Sequence, residues 1–163
     1  MRFIIVQLFG LIGFLFLLVS YWHKDINKIV LLHVFSGIFY IIHYLMLGAT
    51  AGLLVIIFDI IRDFLYYKTN SDKIIFLISV PIYAVSGYFV YNSLISLFPI
   101  LASLTEGYNL AYKEDAPIMG AIIASSLWLI YDFVAGSYIS IIPGIIMLVS
   151  DIIVLIKGPK IAE

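Results

Sequence analysis

Residues 36–63 read SGIFYIIHYLMLGATAGLLVIIFDIIRD, and residues 124–151 read ASSLWLIYDFVAGSYISIIPGIIMLVSD. A shift of 88 positions brings Tyr40 onto Trp128, His43 onto Tyr131, Gly48 onto Gly136 and Asp63 onto Asp151. Both stretches run as an apolar span, a small uncharged turn and a second apolar span that carries acid. A duplicated hairpin in an apolar chain is the mark of transporters assembled from repeats.

The surrounding composition fixes the solvent. The 163 residues are 64% hydrophobic and 12% charged, with a mean hydropathy of +1.15. A soluble domain of this length needs far more charged surface. Several segments run for about 18 residues or more with few charges, enough for a helix to cross a ~30 Å hydrocarbon core. The chain reads as an integral membrane protein. Its first apolar run, from Phe3 to Trp22, is too long for a signal peptide and has no small-residue cleavage site, so it reads as a retained helix. With no cysteine in the chain, disulfides, thiolate catalysis and cysteine metal sites are excluded. No basic stripe suits nucleic acid. No cofactor is called for.

Seven spans are expected, at about 3–22, 29–47, 50–67, 73–91, 94–112, 117–135 and 138–156. Their connections alternate. HKDINK, KTNSDK, KEDA and the KGPK tail carry lysine, whereas the links near Gly48, Asn92 and Gly136 carry no charge. Of nine Lys and Arg, seven lysines fall in the first set, and Arg62 lies in the half of its span that leads there. The positive-inside bias then places the amino terminus outside and the carboxyl terminus in the cytoplasm. Seven spans with this repeat make one transmembrane domain: repeat 1 (1–67), a linker helix (73–91) and repeat 2 (94–156). The linker inverts the chain, so the two triplets run parallel, related by an axis along the membrane normal. It carries Pro81, has no counterpart in the repeat, and its expected job is that inversion.

The runs LGATAG and FDIIRD, the later FPILAS and NLAY, and SSLWLIYDFVAGS with LVSDIIVLIK resemble the YgjV-type family of small bacterial inner membrane proteins. That family is similar in architecture to the SWEET sugar transporters, the PQ-loop proteins and the PnuC vitamin-precursor transporters. The resemblance implies a 3+1+3 fold with a substrate pathway between the triplets, in the bacterial inner membrane. In the SWEET relatives, amides in the third and seventh helices face the sugar, with aromatics from the second and sixth. Carried over, these positions are Asp59 and Asp151, with Tyr40 and Trp128. Acids in place of amides argue against a neutral sugar. Pairing Asp59 with Asp151 needs a second outer loop about one helical turn longer, whereas the gapless repeat pairs Asp63 with Asp151; the residues alone leave both open.

Asp59, Arg62 and Asp63 stand at i, i+3 and i+4, on one face of the third span. At 1.5 Å per residue, Asp59 lies roughly 13 Å below Thr50. An ionisable group at that depth costs about 2.5–3.5 kcal/mol unless it is paired or meets water. The group is therefore either an internal ion pair that locks helices or part of a pathway. The spans hold Asp59, Asp63, Glu106, Asp132 and Asp151 against one arginine. Protonation of buried acids or a visiting cation resolves that imbalance, and solvation of Asp132 at the headgroups removes one acid from it. Pro99, Ser103, Glu106, Asn109 and Lys113 form a stripe on the fifth span. Pro99 there, and Pro143 in the seventh, free a carbonyl within the membrane. Ser125, Trp128 and Asp132 share a face of the sixth. Trp128 reads either as a stacking platform or as an interfacial anchor. His33 and His43 are too far apart for a zinc pair; His43 reads as a packing histidine or a proton gate.

The leading expectation is a transporter that moves a small polar solute by alternating access, coupled to protons or acting on a cationic substrate. Asp59, Asp151, Trp128, Tyr40, Glu106 and Asn109 are its expected substrate contacts, and Arg62, Asp63, Asp132 and His43 its ion-pair or coupling groups. The alternative is a PQ-loop-type receptor or scaffold. An enzyme is not expected, as there is no GxSxG, no HExxH and no room in the loops. The expected partners are a small-molecule substrate and the lipid bilayer, with a monomer or a homodimer both workable.

Overall fold

Hydrocarbon offers no water to the backbone, so a spanning segment must satisfy every N–H and C=O within itself, and helix is what remains open to a single chain of this pattern. The computed structural model describes residues 2–20, 23, 25–69, 71–112 and 118–157. It contains seven helices: α1 (Arg2–Ser20), α2 (Ile26–Leu47), α3 (Thr50–Lys68), α4 (Asp72–Val90), α5 (Phe98–Ala111), α6 (Ile118–Ala135) and α7 (Tyr138–Lys157). A 3₁₀ turn, Leu94–Leu97, leads into α5. Each helix falls within a few residues of an expected span. Six are long and apolar enough to cross a membrane, α5 only together with the 3₁₀ turn before it; α3 is the exception, because Asp59, Arg62 and Asp63 interrupt it. Tyr21, Trp22, Lys113, the rest of KEDA and all of KGPK after Lys157 lie outside the described residues.

The fold is apolar outside and hydroxyl-rich within. Ile, Leu, Val and Phe dominate the exposed side chains, while Ser20, Ser36, Ser79, Ser86, Ser103, Ser125, Ser137 and Ser140 are buried. Several of these serines spend their hydroxyl on the preceding turn: Ser20 on Leu17 O, Ser79 on Phe76 O and Ser86 on Ile82 O. A hydroxyl satisfied this way can be buried without a partner on another helix.

The α2–α3 and α6–α7 connections are the same structure. Gly48 and Gly136 have φ of +72° and +76°, the left-handed conformation that ends a helix. Ala49 N–H donates to Tyr44 O at 3.0 Å, and Ser137 N–H to Asp132 O at 2.9 Å. The next helix starts two residues after each glycine, at Thr50 and Tyr138. Because the two turns are equal in length, the register that carries Gly48 to Gly136 carries Asp63 to Asp151. Asp59 falls opposite Met147.

Helix packing forms a ring. α1 packs on α2, α2 on α3, α3 on α5, α5 on α6, α6 on α7, and α7 returns to α1. α4 braces the outside against α3 and α5. Pro81 and Pro143 lie inside α4 and α7. Pro99 does not break its helix as expected: it occupies the first turn of α5, where the missing N–H costs nothing.

An alanine at a left-handed position costs about 1 kcal/mol or more. We expect Gly48→Ala and Gly136→Ala each to lower thermal stability in detergent by that order, and Gly48→Asn by less. Indifference at both sites would contradict the turn geometry.

Candidate functional site

Arg62 is 4% exposed on α3 and is surrounded. Its Nη1 lies 3.0 Å from Asp59 Oδ1 and its Nη2 2.9 Å from Asp63 Oδ1; Nε also donates to Asp63 Oδ1 at 3.0 Å. Nη1 further donates to Ser103 O on α5 at 2.9 Å and to the Tyr83 hydroxyl on α4 at 3.3 Å. Asp59 in turn accepts from Tyr83 Oη and, at 2.8 Å, from Ser103 Oγ. One helix thus supplies all three charged groups, through the i, i+3 and i+4 spacing, and two neighbours supply the remaining hydrogen bonds. The internal ion pair of the sequence reading is present. So is a cavity beside it.

That cavity measures about 300 Å³ and takes residues from all six ring helices, but none from α4. One wall is aromatic: Tyr40 stacks on Tyr44 with centroids 6.2 Å apart, and Tyr44 on Trp128 at 6.5 Å. Asp59, Arg62 and Asp63 on α3 and Glu106 on α5 also line it. Trp128 on α6 and Glu106 on α5 line the same side of it. Pro143, Gly144 and Met147 provide the α7 surface.

The end of the cavity near the two glycine turns is sealed. Tyr44 Oη donates to Asp132 Oδ1 at 2.6 Å, and both residues are buried. These residues are 88 apart, so they hold the same position in the two hairpins and meet each other. Two further register partners cross the same end. Tyr131 Oη accepts from Gly52 N–H at the start of α3, at 2.8 Å. His43 Nε2 lies 2.7 Å from Ser137 Oγ at the start of α7, while its Nδ1 donates to Val6 O at 2.7 Å. Gln7 completes the clamp, donating to Gly136 O at 2.8 Å and accepting from Ile139 N–H at 3.0 Å. Towards the other end exposure rises, from 5% at Asp132 to 13% at Asp59 and 35% at Asp63.

Most of the residues singled out in the sequence come together. Asp59, Arg62, Asp63, Tyr40, Glu106, Trp128 and Asp132 line one cavity. Three do not. His43 is fully buried behind the wall. Asp151 accepts from Ser125 Oγ at 3.0 Å, and only Ser125 reaches the cavity. Asn109 packs against Gly120 with its Oδ1 buried and unpartnered. Headgroup solvation of Asp132 is overturned, since the residue points inward to Tyr44 and is buried. Tyr83 corrects the view of α4 as a mere inverter, because its hydroxyl reaches Asp59. Among the described residues no set of three His, Asp or Glu side chains is placed to hold a metal. Tyr44, Tyr83 and Gln7 were missed; the one available signal was that Tyr44 lies 88 positions before Asp132.

Removing one partner of a buried ion pair leaves an uncompensated charge and costs about 3–5 kcal/mol. Arg62→Met is expected to cut folded yield and stability on that scale in detergent unfolding, and the triple change Arg62→Met, Asp59→Asn, Asp63→Asn to recover much of it. A single variant as stable as wild type would contradict the network.

The profile of a family described as Bacterial inner membrane protein, Imp-YgjV, matches residues 4–160. No curated protein and no solved structure matches the chain. With nearly its whole length matched, the chain belongs to the Imp-YgjV family of bacterial inner membrane proteins.

Proposed function

We propose that the chain is a transporter that carries a small polar solute across the inner membrane by alternating access. The observation that carries this reading is the polar cavity, built by six helices, sealed at the turn end and increasingly exposed towards the other. Pockets of about 300 Å³ suit small ligands. We take α1–α3 and α5–α7 as two parallel repeats and α4 as the linker, the 3+1+3 arrangement of the SWEET, PQ-loop and PnuC proteins. In support, the shift of 88 exchanges the α3–α5 contact with the α7–α1 contact, and both pairs pack.

In this reading the repeats rock about the axis that passes near Tyr44 and Asp132. The sealed end faces outside and the open end faces the cytoplasm, as the lysine distribution favours. Opening the sealed end requires the Tyr44–Asp132 and His43–Ser137 contacts to part. Arg62 pairs with Asp59 and Asp63 in the wall, so that the substrate meets a polar surface there. Proton coupling and a cationic solute each balance the excess of acid. One chain supplies both repeats, so a monomer suffices and a homodimer remains compatible. The protein acts on lipid-embedded solute passage and not as an enzyme.

The test is uptake into proteoliposomes of purified protein. Stabilising solutes are first found by thermal shift at pH 5.5 and 7.5, conditions chosen for the assay, since a ligand raises the melting point by mass action. Asp59→Asn is expected to reduce uptake by tenfold or more, or remove its pH dependence, in protein that remains folded. Saturable binding with no flux under any gradient would contradict transport and favour a receptor or scaffold.

A further inference from the structure

The cavity's chemistry narrows what it can hold. The basic groups in the lining are already committed: each Arg62 nitrogen contacts Asp59, Asp63, Ser103 or Tyr83, and His33 Nε2 lies 3.1 Å from Ser20 Oγ, so the lining disfavours an anion. No Asn or Gln is among the described residues that line the cavity. The lining offers four acids, Asp59, Asp63, Glu106 and Asp132, to one guanidinium and one imidazole, Arg62 and His33. Three of these acids are engaged: Asp59 and Asp63 by Arg62, Asp132 by Tyr44. Glu106 is different. Among the described residues no Lys, Arg or His forms an ion pair with it.

Facing the same space is the Tyr40–Tyr44–Trp128 wall. Aromatic faces are electron-rich and attract cations, by about 2 kcal/mol or more where water is excluded, and tryptophan is the best of them. Trp128 and Glu106 line the same wall, so an aromatic platform and an acid without an ion pair among the described residues adjoin in one small cavity. Resting on the transporter reading, we propose that this cavity takes an organic monocation, a quaternary ammonium or protonated amine, with its charged head between Glu106 and the Trp128 wall. The apolar surface of Ile56, Ile60 and Met147 is left for the substituent. The arrangement is a cavity with a shaped wall, and its size excludes a large polycation.

The probes are choline and phenethylamine, set against their uncharged isosteres dimethylbutanol and phenylethanol. The chain has two tryptophans, so W22F leaves Trp128 as the sole indole reporter. Titration of that variant, and calorimetry on the wild-type protein, should show saturable binding of at least one cation, with its isostere about tenfold weaker or more. E106Q should remove the preference for charge and E106D keep it; W128F should retain part of the affinity and W128L lose it. If E106Q does not fold, the W128F and W128L pair carries the same decision.

Equal binding of a cation and its isostere, failure of both cations, or an E106Q variant with unchanged cation affinity would overturn the proposal. The two readings fail separately. Cation binding without flux in proteoliposomes defeats transport and leaves the site; flux of an uncharged or anionic solute that neither cation inhibits defeats the site and leaves transport.

Discussion

Everything inside this bundle is arranged around one guanidinium. Arg62 is almost fully buried in a helix that must lie among apolar neighbours, and a lone charge there would be prohibitively costly. The cost is met locally by Asp59 and Asp63, on the same face of α3, and then by Ser103 and Tyr83 from α5 and α4. That demand brings α4 against the ring, although α4 lines no part of the cavity. It also leaves two carboxylates fixed at mid-depth with no positive group to spare, which gives the cavity its sign.

The opposite end is held by a different device. Two glycine turns of equal length set the hairpins in the same register, and residues in equivalent positions then meet or cross. Tyr44 meets Asp132, Tyr131 reaches the start of α3, and His43 reaches the start of α7. These hydrogen bonds join elements from the two halves of the chain. The seal is a handful of polar contacts, each worth about 0.5–1.5 kcal/mol net, a scale that can be exchanged for other contacts during a conformational cycle. The Arg62 network is far costlier to break, and it ties α3 to α4 and to α5 of the other half. The molecule therefore has a stiff region and a separable one.

The helices were legible because apolar length and glycine turns are local signals, and the acid–base triad on α3 followed from i, i+3 and i+4 spacing. What the sequence obscured were contacts between distant segments. Asp132 stands four residues before Gly136, at the end of its span, and reads as solvated until Tyr44 is seen opposite it. Tyr83 sits in an apolar helix, where a tyrosine passes for lipid packing. Pro99 reads as a mid-span kink because the 3₁₀ turn before it leaves no sequence signature, and α5 in fact starts there. Asp151 keeps its register with Asp63 but spends its carboxylate on Ser125 and stays off the cavity.

The central claim is that one cavity is reached from one face of the membrane at a time. The chain has no cysteine, so Met147→Cys, in the cavity wall, gives a single thiol for a membrane-impermeant reagent. In vesicles of both orientations the account predicts labelling from the face opposite the Gly48 and Gly136 turns. It further predicts that adding Tyr44→Phe, which removes the hydrogen bond to Asp132, raises labelling from the turn face at the expense of the other. Simultaneous labelling from both faces at equal rates, or no change with Tyr44→Phe, would contradict it.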